Sequence, residues 1–351
     1  MKIAIIGGSF DPIHFGHTAM ARYVLKHRLA EAVWFMVTAK TPLKDRSLTD
    51  NELRNDMVKA AIAYDKRFKI CLMEQQRDGI SYTLDTVREL KNRYPQHSFV
   101  WLIGNDQAMQ LSKWRGIDEL SKLIEFYVFP RHNETISCAY PHQLMKMELI
   151  DVSSSEIRSG QRLWLVSKGV KALMVKHYLY LDSFAAARMS ERRFAHSKSV
   201  AKLCVTLAQC HGVDVLQAYC AGILHDVCKE WDKQRLNCYL QQLDPRTLQE
   251  RPTVWHGYAA AYYVSKSLGI HQRGIRAAIY HHVKGSDQSK LCMIVYVSDK
   301  LDPSRGYDSS ETIALCKKDL AAGYRLALKQ QAEYLMKEKQ NKHESRTESG
   351  N

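Results

Sequence analysis

No apolar run in this 351-residue chain approaches the roughly 20 residues that cross a bilayer, and its first residues carry no secretory-signal pattern. A cytoplasmic protein without a membrane partner is expected. Closely spaced CxxC pairs are missing too. The nine cysteines are scattered and odd in number, and Cys204, Cys220 and Cys228 fall within apolar helical patterns, which points to reduced thiols that pack like small hydrophobes. The formal charge is +14, yet basic residues are nowhere concentrated beyond short clusters such as ARMSERRFAH, and no RNA-binding signature with interleaved aromatics occurs. Nucleic acid is therefore not the expected partner, whereas small phosphorylated anions are. Internal repeats are absent as well.

What is present divides into two textures, as the length suggests for two domains. From Lys2 to about residue 182, strand-like runs (KIAIIGG, VWFMVT, FVWLIG, FYVFP, MELIDV) alternate with helical stretches (TAMARYVLKH, ELRNDMVKAAIAY, YTLDTVRELKNRY). Strands alternating with helices predict a Rossmann-like, doubly wound α/β domain with a parallel sheet. Residues 183–335 carry helical periodicity alone and predict an all-α bundle. Residues 336–351 are polar, lack an apolar face and read as a disordered tail.

The stretch GGSFDPIHFGH, residues 7–17, follows the first apolar run. Gly7 and Gly8 would end a strand at the sheet edge where ligands of open α/β sheets collect, and small residues there let backbone approach a phosphate. A helix beginning near Gly16 aims its positive end at the same place, with His14 and His17 as uncharged donors beside it. A glycine turn with incidental surface histidines is the bland alternative. A second cluster, VSSSEIR at residues 152–158, has capping-box spacing between Ser153 and Glu156, so serine hydroxyls gather at another helix start with Arg158 one turn in.

GGSFDPIHFGH resembles the GxFDPxHxGH signature of the nucleotidyltransferase superfamily, and VSSSEIR resembles its ISSTxIR pattern. ISYTLDT (residues 80–86), LIGNDQ, SKW with Trp114, and TPLK with Lys44 resemble segments of nicotinate-nucleotide adenylyltransferases, in order along residues 1–180. Asn105 stands where alanine is common, and Ser155 where threonine is common. The resemblance implies attack by a mononucleotide phosphate on the α-phosphorus of ATP, releasing pyrophosphate. It also implies site roles. Gly7, Gly8, Ser9, Phe10, His14 and His17 would cradle the triphosphate, Ser154, Ser155 and Arg158 would hold the leaving pyrophosphate, and Asp106 would face the adenosine. Lys44, Tyr82, Thr83 and Trp114 would hold nicotinate mononucleotide. Mg²⁺ would arrive with ATP and need no protein cage.

The helical half carries ionisable groups on apolar stripes. His196 shares a face with Val200, Leu203 and Leu207; His282 with Ile275, Ala278 and Ile279; His256 with Ala260 and Val264; Asp299 with Cys292 and Val295. An inward histidine taken singly is most often a satisfied core residue. Several such groups plus the adjacent pair His225–Asp226 are costly to bury unless paired or bound to a shared metal. RFAHSKSVA, AGILHDVCKEW, AIYHHVKG and VSDKLDPSRGY resemble the HD hydrolases that include symmetrical bis(5′-nucleosyl)-tetraphosphatases, across about residues 185–310. The resemblance implies two irons held by His196, His225, Asp226, His256, His282 and Asp299, with Asp226 bridging, although such donors also suit manganese or zinc. Lys229 and Arg305 are then phosphate contacts, with solvated surface charge as the alternative.

A bifunctional enzyme is the combined expectation: adenylyl transfer from ATP to nicotinate mononucleotide, and hydrolysis of diadenosine tetraphosphate to two ADP. The rival readings are another nucleotidyltransferase activity and a helical half that senses nucleotides or hydrolyses a different phosphate ester. Self-association into a homo-oligomer is left open.

Overall fold

The structure, a computed structural model, describes residues 1–39, 48–77, 79–130, 138–147, 150–306 and 308–348. The chain divides into two compact units, Met1–Leu179 and Tyr180–Asn351.

The first unit is built on six strands, β1 (Lys2–Gly8), β2 (Ala32–Val37), β3 (Phe68–Cys71), β4 (Ser98–Gly104), β5 (Glu125–Phe129) and β6 (His142–Leu144). Its helices are α1 (Phe15–Lys26), α2 (Asn51–Ile62), α3 (Thr83–Arg93), α4 (Asn105–Ala108), α5 (Ile117–Leu123), α6 (Ser154–Arg158) and α7 (Lys168–Lys176). Every strand pairing is parallel, in the order β3-β2-β1-β4-β5-β6. A parallel sheet covered on both faces calls for continuous apolar runs rather than alternation. Ile3, Ala4, Ile5 and Ile6 accordingly all lie within 1% of full burial. The strand order reverses between β1 and β4, so the crevice for a ligand opens over their carboxyl ends, at Gly8 and Gly104. Gly7 is required there for space: a Cβ on it would lie 2.6 Å from Trp101 Cζ2 on β4.

Two strands differ from the sequence reading. β3 was not anticipated, because FKIC is short and carries a lysine. The last strand is His142–Leu144, ahead of MELIDV, where the described residues Met147 and Ile150–Val152 are not in a strand. Edge strands need few apolar residues, which is why HQL escapes hydrophobic pattern reading.

The second unit contains α8 (Leu181–Ala186), α9 (Glu191–His211), α10 (Val215–Leu224), α11 (Lys233–Leu243), α12 (Trp255–Leu268), α13 (Arg273–His281), α14 (Lys290–Lys300), α15 (Ser310–Lys318) and α16 (Leu320–Glu348). Gly222 lets α10 approach α9 closely, since a Cβ on it would lie 2.8 Å from Ala201 Cα. Ile223 and Leu224 of α10 are fully buried, at about 1.5–3 kcal/mol each. α14 packs against α9, α10 and α13. The polar stretch expected to be disordered from residue 336 instead continues α16 as far as Glu348. Its Lys, Glu, Gln and Arg are good helix formers, and extending a nucleated helix costs much less than starting one. No helix among the described residues is long and apolar enough to cross a membrane.

Candidate active sites

In the first unit the loop after β1 folds back over the sheet edge. Phe10 adopts φ 46°, a conformation a phenylalanine holds only when packing fixes it, and its ring is buried against Phe35 and edge-on to His17. His14 is the extended N-cap residue of α1. Its ring stacks on that of His17 with centroids 3.8 Å apart, and its backbone N–H donates to His17 Nδ1 at 3.3 Å. In the neutral His17 ring the proton therefore sits on Nε2, the tautomer that can donate to a phosphate oxygen. Ser9 is buried beside this loop.

The second serine-rich motif meets the first across more than 140 residues of chain. Ser154 Oγ donates to the Pro12 carbonyl at 2.9 Å, and Arg158 Nη1 donates to the Asp11 carbonyl at 2.7 Å. Ser153 and Glu156 cap α6 reciprocally, at 3.2 and 2.7 Å. Ser155 is exposed on the same short helix. Asp106, exposed on α4, follows the carboxyl end of β4, next to the end of β1. Tyr82 is the N-cap residue of α3, with the Arg115 guanidinium 4.6 Å from its ring centre, and Thr83 is the first helical residue. Trp114, half-buried, packs edge-on to Phe126 at 6.2 Å. Lys44 lies outside the described residues.

Sequence reasoning missed Arg54. This arginine on α2 is fully buried, and its guanidinium donates to three backbone carbonyls: Ser9 at 2.6 Å, Thr38 at 2.8 Å and Thr49 at 2.9 Å. A signal was present, for Arg54 precedes the buried Met57, Val58 and Ala61 on one helical face. A charge on an apolar stripe is expensive to bury unless its donors are used.

In the second unit the ends of five helices converge. Asp226 Oδ2 lies 3.5 Å from His225 Nε2 and 3.9 Å from His196 Nε2, whereas Oδ1 lies 3.2 Å from His256 Nε2 and 3.5 Å from His282 Nε2. The two oxygens of one carboxylate thus face two different pairs of imidazoles. Asp299 Oδ1 completes one side, 3.3 Å from His196 Nε2 and 3.8 Å from His225 Nε2. All six side chains are buried.

Three of the four rings are aimed by their far nitrogens. His225 Nδ1 bonds the Gly222 carbonyl and His282 Nδ1 the Ile279 carbonyl, both at 2.7 Å, and His196 Nδ1 lies 2.6 Å from Asp302 Oδ2. Carbonyl or carboxylate partners of this kind fix the tautomer and orient Nε2 toward a metal. Asp302 is itself fully buried and accepts from Ser199 Oγ at 2.5 Å and Ser304 N at 3.0 Å. Positive groups ring the cluster. Arg193 Nη1 lies 2.9 Å from Asp226 Oδ2, Lys300 Nζ 2.8 Å from Asp299 Oδ2, and Arg305 Nη2 2.6 Å from Asp299 Oδ1. Lys229 Nζ lies 3.3 Å from His256 Nε2. Asp302, Arg193 and Lys300 were not singled out from the sequence; their partners are set by helix packing rather than by spacing.

Burial holds His225 down to about 4 and lowers His256 and His282 as well, so these rings are neutral near pH 7. Burial opposes ionisation of Asp226 and Asp299, but the neighbouring imidazoles, with Lys300 for Asp299, outweigh it and keep both well below the usual carboxylate range. Neutral imidazole lone pairs and ionised carboxylates at one buried point are the donor set of a divalent metal centre. His225 Nε2 is buried without a hydrogen-bond partner among the described residues, as a ligand atom would be. Two overlapping groups, His196–His225–Asp299 and His225–Asp226–His282, each bring three donor atoms within 4.8 Å of one another.

Comparison with known proteins separates the same two regions. Residues 5–160 match the family described as Cytidylyltransferase-like, and residues 193–304 match the HD domain. A protein of Mycoplasma pneumoniae named "Probable nicotinate-nucleotide adenylyltransferase/Ap4A hydrolase" is 29% identical over 340 residues, which covers 93% of this chain and 97% of that one. A protein of Shouchella clausii named "Probable nicotinate-nucleotide adenylyltransferase" is 39% identical over 188 residues, 52% of this chain and 98% of that one. Among solved structures, an HD superfamily hydrolase of Clostridium acetobutylicum described as involved in NAD metabolism is 22% identical. It covers 46% of this chain and 88% of its own, with a TM-score of 0.43.

Proposed function

Because the chain belongs, through its first unit, to the nicotinate-nucleotide adenylyltransferase family and carries an HD domain in its second, we propose that it is a bifunctional enzyme of nucleotide chemistry. The first unit joins ATP to nicotinate mononucleotide, giving deamido-NAD and pyrophosphate. The second hydrolyses diadenosine tetraphosphate symmetrically to two ADP.

One observation carries the first activity: the docking of Arg158 and Ser154 on the carbonyls of residues 11 and 12, which joins both phosphate motifs at the edge where β1 and β4 end. An oxygen of the mononucleotide phosphate attacks the α-phosphorus of ATP. The bond to the bridging oxygen breaks, and its electron pair leaves with pyrophosphate. Such a transition state needs positioning and charge stabilisation rather than a covalent nucleophile. His14 and His17 donate to α- and β-phosphate oxygens, and Gly7, Gly8, Ser9 and Phe10 shape the backbone beneath them. Ser155 and Arg158 take the leaving pyrophosphate, with Ser154 fixing their helix on the phosphate loop through the Pro12 carbonyl, and Asp106 meets the adenosine. Tyr82, Thr83 and Trp114 flank the mononucleotide, joined by Lys44 from outside the described residues. Mg²⁺ accompanies ATP as its counterion.

For the second activity the supporting observation is Asp226, whose two oxygens face separate imidazole pairs. His196, His225, Asp226, His256, His282 and Asp299 would hold two divalent metals, iron by family resemblance, which supply water activation and neutralise the leaving phosphate oxygen. Lys229, Arg193 and Arg305 stand at the rim of that cluster as cationic contacts for the polyphosphate. A cytoplasmic setting fits the nine free cysteines, of which Cys204 and Cys292 are pushed by burial up to about 12.

The test uses the full chain. With ATP and nicotinate mononucleotide it should release pyrophosphate and deamido-NAD in equal amounts. With diadenosine tetraphosphate and iron(II) or manganese(II) it should release ADP alone. Equal AMP and ATP would overturn symmetrical cleavage, and inertness toward both substrate sets would overturn the proposal.

A further inference from the structure

Between the two substrate-facing segments of the first unit runs a set of buried polar side chains that the adenylyl-transfer reading does not use. Arg54 clamps the carbonyls of Ser9, in the phosphate loop, and of Thr38, just past β2, at 2.6 and 2.8 Å. Thr38 is tied to the same loop a second time, its N–H donating to the Gly8 carbonyl at 3.1 Å. Its hydroxyl lies beside Glu74, in the short helix Met73–Gln76, where burial raises the carboxyl and the Thr38 hydroxyl acts against that shift. Glu74 in turn accepts from Thr86 Oγ1 at 2.8 Å, the same hydroxyl proton being shared with the Tyr82 carbonyl at 3.2 Å, while Arg77 Nη2 donates to that hydroxyl oxygen. Ser81 Oγ completes the link, donating to the Glu74 carbonyl at 3.5 Å.

Thr38, Arg54, Glu74 and Thr86 are 8%, 0%, 4% and 0% exposed. Burying a carboxylate and a guanidinium costs stability that apolar residues of similar volume would not, so polar groups in such a place specify geometry more than they stabilise. The geometry they specify is particular. One end of the chain is the backbone under the phosphate loop, and the other is the turn at residues 81–83, which carries Tyr82 and Thr83.

We infer that Arg54, Thr38, Glu74 and Thr86 are positioning residues that set the register of the mononucleotide-binding turn on the ATP phosphate loop. The attacking phosphate oxygen and the α-phosphorus are thereby held in line. This rests on the adenylyl-transfer reading of the same site. None of the four need touch a reacting atom, and their contribution is orientation, to which a misplacement of about 1 Å can cost on the order of a hundredfold in rate.

Thr86→Val tests it, because valine keeps the volume and removes the hydroxyl that joins Glu74 to Tyr82. With ATP and nicotinate mononucleotide the variant should lose tenfold or more in kcat, with KM for each substrate within threefold of wild type. Thr86→Ser should restore kcat to within threefold. The double variant Glu74→Gln/Thr86→Val should be no slower than the slower single variant, since both break one link. Melting temperatures and ATP-binding stoichiometry would be measured alongside, so that loss of folded protein is not read as loss of alignment. Wild-type kcat in Thr86→Val, or a loss that serine does not rescue and that follows the melting temperature, would overturn the positioning role alone. A wild-type chain that does not join the two substrates would overturn the parent reading and the relay with it.

Discussion

Asp302 offers the sharpest test of the metal centre because it touches no position where a metal would bind. It is fully buried, its Oδ2 lies 2.6 Å from His196 Nδ1, and Ser199 and Ser304 hold its other oxygen. Asp302→Asn keeps the shape and most of the hydrogen bonds but removes the negative charge behind the His196 ring. Loss of an outer carboxylate partner typically costs 10- to 100-fold in metal affinity, or about 1.4–2.7 kcal/mol. The lower half of that range applies here. His225 and His282 keep their own backbone partners, Gly222 and Ile279, so only one imidazole of four loses its anchor. The expected result is therefore a roughly 10- to 30-fold weaker manganese(II) affinity, read by competition with a fluorescent chelator. Ser199→Ala, which leaves the charge in place, should cost less. An Asp302→Asn protein that melts like wild type and binds manganese(II) with unchanged affinity would refute the view that His196 is an oriented ligand.

Three further outcomes follow from the geometry. Asp226→Asn should reduce diadenosine tetraphosphate hydrolysis at least a hundredfold while adenylyl transfer stays within twofold; a change in transfer kinetics instead would make the helical half a sensor. Trp114→Ala should raise KM for nicotinate mononucleotide several-fold more than KM for ATP, measured by pyrophosphate release. Acid should destabilise the metal-free protein from about pH 6.5 downward. His225, His256 and His282 are held below the ordinary histidine value by burial, so the unfolded chain takes up protons first and the stability they carry is lost as pH falls through that window. His196 acts in the opposite sense. Burial lowers it, but Asp299 and Asp302 outweigh burial and raise it, so its contribution is present below 6.5 and lost as pH rises through its folded value. Three groups against one should give a melting temperature that drops with acid down to about pH 4, and His225→Asn should flatten that slope; a flat profile in the wild-type chain would contradict the assignment.

Much of the architecture was legible because parallel strands and inward helix faces write themselves as local apolar patterns. Ile3 to Ile6 announced β1, and the spacing of His196 to Val200 and of His282 to Ile279 put both rings inward, where the structure has them. β3 and β6 escaped because short strands at or near a sheet edge need no apolar run, and α16 outlasted the apolar face from which its end was inferred.

The sequence by itself determined the two textures of the chain and the inward helical faces of His196, His256, His282 and Asp299, since periodicity and capping depend on neighbours a few residues away. Tertiary structure alone decided which residues meet: Arg158 with Asp11, Asp226 with four imidazoles, Asp302 behind His196, and Arg54 beneath the phosphate loop. Those partners stand up to 147 residues apart, and no local rule specifies a distance that only the packing of helices and strands can set.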